Sequence, residues 1–386
     1  MLRLIRIVAA AVLVSSAAHA ATPPPQPKSG PGGADYVATE VAKRAVGRAS
    51  AATYVFHPAE AAKEPRPVVV FMHAWGAVNP QVYGGWIDHL ARKGFVVLYP
   101  RFQEVGRTRP ADATDRALAL LKDAFAQLEK DEQARPDLKR VAVIGHLAGV
   151  PLALNYAVLA EEKDLPKPAL VFAVMPGGIA TDPKSRGVAI KDLSGIDPST
   201  LLITLIGDRE HLAADRASRR ILREADKVPN ERKLFMRALS DDYGFPSLSA
   251  TLASPGSFNE AYDATRIKLP PDPPRDPKAP RERQQRWSAD MALTGEQTVL
   301  VNQLGIAGTD TLDWYAYWKT FDMAAAAAFA GRDGASLRAE AAFTDMGRWS
   351  DGWPVKRLSA EHPREGPAPA RREVAPAQQP VPSKRR

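Results

Sequence analysis

Apolar residues along the chain gather into short continuous runs, and longer stretches of helical period separate them. The runs predict strands over Thr53–His57, Pro67–His73, Phe95–Tyr99, Arg140–Gly145, Ala169–Val174, Leu201–Gly207 and Arg232–Ala238. Several of them, such as PVVVFMH and LLITLIG, are unbroken and rich in β-branched residues, which marks strands buried on both faces. Thr53–His57 reads as an edge strand. The intervening stretches predict helices over Val82–Lys93, with Gly94 as its terminating glycine, Ala113–Lys130, Gly149–Glu161 and Leu212–Asp226. Strands that alternate with helices imply right-handed βαβ units. The expected fold is therefore α/β, a mostly parallel doubly wound sheet with helices on both faces and its chemistry at the carboxyl ends of the strands.

Composition adds the flanks. Residues 1–20 join a basic start (Arg3, Arg6) to a short apolar run and the small-residue end Ala18-His19-Ala20, which reads as a signal peptide cut after Ala20. The run is too short to span a bilayer, which needs about 20 apolar residues. The expected location is periplasmic or secreted. Residues 21–33 (ATPPPQPKSGPGG) read as a Pro/Gly linker, 34–362 as the folded domain, 268–286 as an exposed Pro- and charge-rich loop within it, and 363–386 as a disordered basic tail. The chain has no cysteine, so disulfides, thiolate metal sites and a cysteine nucleophile are excluded. The formal charge is +8, and the tail holds six basic residues against two acidic ones. The basicity is not a patch on a folded face, so no nucleic-acid partner is expected.

The chemistry lies at three strand ends. The strand RVAVIG runs into Gly145-His146-Leu147-Ala148-Gly149 and then a helix. This strand–turn–helix resembles the nucleophile elbow G-x-S-x-G of the α/β-hydrolase superfamily, in particular its secreted bacterial esterase, lipase and dienelactone-hydrolase-like group. The serine position is Leu147, which has no nucleophilic atom. In the same resemblance, the strand ending in His73-Ala74-Trp75 supplies half of an oxyanion hole, with Trp75 N–H and Ala148 N–H as the two donors. The turn Gly207-Asp208-Arg209-Glu210 follows the strand where the family places its acid, so Glu210 takes that position with Asp208 as runner-up.

The resemblance puts the histidine after the last strand, in the order Ser, Asp/Glu, His. The segment 239–252 has none, and Leu252 or Tyr243 occupies its place. A serine without a base is not activated. Two of the three triad roles are thus empty, while the scaffold around them persists. The resemblance implies no cofactor, and no metal partner is in view for the histidines. A dense aromatic helix (Leu312–Lys319) and a flap (Met346–Trp353) follow; they resemble the closing elements of this group, and their aromatics are expected to pack against the sheet.

Three functions are compatible with these residues. The chain is a defective serine hydrolase that binds an acyl or aromatic small molecule, or a partner, in the old cleft. Alternatively it is a hydrolase of carboxylic esters or lactones with altered chemistry, using Glu210 and the backbone oxyanion hole. Alternatively it is an envelope protein acting through weak contact of its basic tail with anionic surfaces.

Overall fold

The computed structural model describes residues 20–361, except 50, 183–184, 210–211, 273–286 and 294–301. It has one nine-stranded sheet in the order β1-β2-β4-β3-β5-β6-β7-β8-β9. The strands are β1 (Val41–Arg48), β2 (Ala51–Pro58), β3 (Arg66–Met72), β4 (Val96–Pro100), β5 (Pro136–His146), β6 (Leu170–Val174), β7 (Leu201–Gly207), β8 (Lys233–Ala238) and β9 (Ser359–Glu361). The six from β4 to β8 are mutually parallel, while β1, β2 and β9 pair antiparallel at the two edges. The apolar runs of the sequence are these parallel strands, and their side chains are almost wholly buried.

Helices α1 (Gly84–Arg92) and α5 (Lys319–Phe329) pack on one face. Helices α2 (Ala113–Leu128), α3 (Gly149–Leu159) and α4 (Leu212–Glu224) pack on the other. Gly94 ends α1 at φ +100°, a left-handed conformation that glycine adopts without strain. This strand order with a strand–turn–helix at β5 is the α/β-hydrolase fold.

The expected edge strand Thr53–His57 is not an edge. It lies within β2, covered by β1, whose sequence VAKRAVGR carries three basic residues and only a half-buried pattern. Such an amphipathic edge gives no continuous apolar run, and the three-residue β9 is too short to give one. The aromatic helix and flap do pack inward: Tyr317, Trp318 and Trp349 are buried, whereas Trp353 is 58% exposed. Asp313–Trp318 forms a π-helical turn leading into α5.

Residues 21–33 do not behave as a linker. They form a strap bound along the flap and the aromatic helix. Ala21 O accepts from Phe245 N at 2.8 Å, and Thr22 exchanges two bonds of 2.9 Å with Ser350. Pro24 O accepts from Thr311 Oγ1 at 2.7 Å, and Gly32 N donates to Asp322 Oδ2 at 2.8 Å. The seat is cut by glycines. A Cβ on Gly244 would lie 2.0 Å from Ala21 O, and one on Gly32 would lie 2.3 Å from Trp314 O. A Pro/Gly stretch buries little side chain, but its carbonyls and its lack of side-chain bulk let it hydrogen-bond closely to a body already folded. Residues 273–286 of the expected loop, His362 and the tail 363–386 lie outside the described residues. Among the described residues, no helix is long and apolar enough to cross a membrane.

Because the strap adds several hydrogen bonds of about 1 kcal/mol each, Gly244→Ala should displace Ala21 and lower the melting temperature by about 5 °C. An unchanged melting temperature with unchanged proteolysis of residues 21–36 contradicts a bound strap.

Candidate active site at the β5–α3 turn

β5 ends in Gly145-His146, and α3 begins at Gly149. Between them Leu147 stands at φ +50°, one of three non-glycine residues in the left-handed region among the described residues. That conformation costs a β-carbon-bearing residue roughly 1–3 kcal/mol. The surroundings enforce it. Leu147 N donates to Val174 O at 3.1 Å, and Leu147 O accepts from Val150 N at 3.0 Å and Gly177 N at 3.3 Å. The two elbow glycines are required by contact. A Cβ on Gly149 would lie 1.9 Å from Met72 O, and one on Gly145 would lie 2.7 Å from Gly149 O. The start of α3 is thus pressed against the end of β3. The Leu147 side chain fills the turn and is 2% exposed.

The close approach at Gly149 sets Ala148 beside the loop that leaves β3. There Ala74–Ala77 form a turn closed by Ala77 N to Ala74 O at 2.9 Å, with Gly76 at φ +91°. Gly76 N is held by Gln103 Oε1 at 2.6 Å. Trp75 and Ala148 are both buried, and among the described residues neither amide donates to a protein acceptor. Buried N–H groups without a partner are rare, although the first amides of a helix have no carbonyl within it.

His146 joins three parts of the site. Its Nε2 lies 2.9 Å from Leu252 O, which can only accept, so Nε2 carries the proton. Its Nδ1 then accepts from Tyr83 Oη at 2.7 Å, and Tyr83 Oη accepts from Ala74 N at 3.3 Å. Burial pushes the imidazole down to about 4, against the opposing effect of the Leu252 carbonyl. His73 is also buried, stacked between Tyr99 and Phe102 at 5.0 and 4.1 Å. It donates from Nδ1 to Ala74 O at 2.7 Å, and burial pushes it down to about 4. Among the described residues its Nε2 has no partner. Both rings are neutral structural groups at neutral pH.

Of the acid candidates, Glu210 lies outside the described residues. Asp208 sits at the end of β7 and accepts from Ser240 Oγ at 2.5 Å, and Ser240 Oγ accepts from Ala250 N at 3.0 Å. Gly207 closes against the same segment, since its Cβ would lie 2.1 Å from Ala250 O. The two candidate histidine positions part company. Leu252 is tied to the elbow through His146, whereas Tyr243 belongs to the flap. Tyr243 stacks on Trp353 at 5.7 Å and donates to Asp351 Oδ2 at 2.5 Å. The roles of Tyr83 and Gln103 were not legible in the sequence, because nothing in their spacing signals the long-range hydrogen bonds that define them.

The linkage for the two histidines has a definite sign. Each binds its proton in the unfolded chain near pH 6.5 and in the folded one only near 4, so stability is full above 6.5 and falls as pH drops through that window. The loss is about 3 kcal/mol per histidine at its end. Urea unfolding at pH 7 and pH 4.5 should show that fall, with both imidazoles still neutral by nitrogen NMR at pH 5. Rings protonated at pH 6 contradict it.

The family model described as Chlorophyllase matches residues 31–186, which include the elbow and the Trp75 loop but end before β7. Among solved structures, the chain is similar to carboxyl esterase 2 from Tuber melanosporum at 17% identity and a TM-score of 0.39, covering 53% of this chain and 78% of that one. It is also similar to esterase B from Lactobacillus rhamnosis at 14% identity and a TM-score of 0.38, covering 53% and 76%. No curated protein matches the chain. The strand order and the strand–turn–helix at β5 identify the α/β-hydrolase fold.

Proposed function

We propose that this α/β-hydrolase-fold protein is a secreted, esterase-derived chain that no longer acts as a serine hydrolase and instead binds a small acyl or aromatic ligand in the old cleft. The observation that carries the reading is Leu147 at φ +50°: a strained nucleophile turn occupied by a side chain that cannot attack a carbonyl. The absence of a histidine from 239–252 supports it, because the Leu252 position beside His146 offers no base. The two amides at Trp75 and Ala148 support the binding half. Backbone donors without a protein acceptor, next to the apolar Leu147 side chain, suit a ligand whose carbonyl or carboxylate oxygen is its one polar point there.

The same two amides favour a second reading, a hydrolase with altered chemistry. An oxyanion hole with substrate binding alone retains about 10³–10⁴-fold catalysis over water in triad knock-outs. In that reading Glu210 activates the water, and Glu210→Gln lowers ester turnover.

The test compares fluorophosphonate labelling and short-chain nitrophenyl-ester turnover in three forms: the natural protein, Leu147→Ser, and Leu147→Ser with Leu252→His. The expected result is a silent natural form and labelling with turnover in the double variant. Turnover by the natural form removes the non-catalytic reading and points to an activated water. A double variant that folds and stays silent removes Leu252 as the site of the lost base.

A further inference from the structure

A groove of about 500 Å³ opens beside the carboxyl end of β4, lined among others by Tyr54, Val78, Arg101, Gln103 and Val105. It is not the elbow cleft: β3 lies between β4 and β5, so the two are separated by roughly two strand spacings, about 10 Å. Two donors in it are fixed in place and unused. The Arg101 guanidinium rests over the Tyr54 ring at 5.6 Å and gives Nη1 to Ala49 O at 2.6 Å. Its Nε and Nη2 have no protein acceptor among the described residues, and Arg101 forms no ion pair there. Gln103 is buried and spends its Oε1 on Gly76 N, which fixes the amide plane and leaves its NH2 group without an acceptor among the described residues.

The carboxylates nearby are already committed. Glu104 pairs with Arg116 and, at 3.7 Å, with Arg107. Asp263 accepts from Asn79 Nδ2 at 3.0 Å, from Thr265 N at 3.0 Å and from Thr265 Oγ1 at 2.9 Å. The groove therefore offers a guanidinium edge and an amide, its one lining carboxylate, Glu104, being paired with Arg116 and Arg107, next to an apolar wall of Val78, Val105 and Ala264.

We infer that this groove binds a small carboxylate-bearing molecule with a short apolar body. The Nε–Nη2 edge of Arg101 takes the two carboxylate oxygens side by side, a fit that a planar guanidinium gives and an ammonium does not. The Gln103 amide adds a donor, and the body lies along the valines. The inference does not depend on the reading of Leu147. The Gln103–Gly76 bond is the physical link between the groove and the loop that carries Trp75.

The experiment is calorimetric titration of the full chain with hexanoate, hexanamide and inorganic phosphate. Hexanoate should bind at least about tenfold more tightly than hexanamide, since a charge-assisted bond is lost in the amide. Phosphate should not displace it. Arg101→Gln should abolish the preference for hexanoate over hexanamide, and Val105→Trp, which fills the groove from a position 67% exposed, should abolish the same preference with an unchanged melting temperature. Val105→Trp decides the matter if Arg101→Gln does not fold. The inference is overturned by no hexanoate binding at millimolar concentration, by equal binding of the amide, by displacement with phosphate, or by a preference for hexanoate that survives Val105→Trp. None of these outcomes bears on labelling of the elbow variants.

Discussion

The site depends on one steric contact, the approach of the first turn of α3 to the end of β3. Gly149 has no room for a β-carbon beside Met72 O, and Gly145 has none beside Gly149 and Val150. Once those backbones touch, the residue between them has to turn left-handed, whatever its side chain. The serine of a hydrolase accepts that strain because the turn presents its hydroxyl. Leu147 accepts it because burial of an isobutyl group, about 1.5–3 kcal/mol, offsets a cost of roughly the same size. The turn therefore stands with a side chain that has no nucleophilic atom, and the neighbouring amides stand with it, since they belong to the backbone.

A second feature follows from that rigidity. His146 is held from both sides, by Tyr83 and by the Leu252 carbonyl, so it fastens the elbow to the turn that enters α1 and to the segment after β8. That attachment does not depend on the side chain at position 252, because it runs through a backbone carbonyl. The strap of residues 21–33 works in the same currency. It docks through its own carbonyls and amides, onto glycines that leave space for it.

Much of the fold was legible in the sequence. Continuous apolar runs identified all six parallel strands, since burial on both faces leaves no polar position to break them. Gly94 and the elbow glycines were legible for a related reason: each is a demand of backbone geometry on a single residue. What the sequence did not disclose depends on partners far along the chain. β1 is a half-buried edge with basic residues, and its pairing with β2 is decided by the hairpin. The strap has a disordered composition, yet its partners Ser350, Thr311 and Asp322 lie about 300 residues away. The sequence does not separate Leu252 from Tyr243, whereas the His146–Leu252 bond ties one to the elbow and the Trp353 stack ties the other to the flap. Gln103 and Arg101, which set the donors of the lateral groove, carry no motif.

The central claim is that the nucleophile turn survives without a nucleophile. A crystal structure of the full chain at a resolution that fixes peptide orientation tests it most directly. The account predicts Leu147 in the left-handed region near φ +50°, with Gly177 N on its carbonyl and the Ala148 amide unpaired by protein. A Leu147 with negative φ, and an Ala148 amide bonded within a relaxed turn, would contradict it.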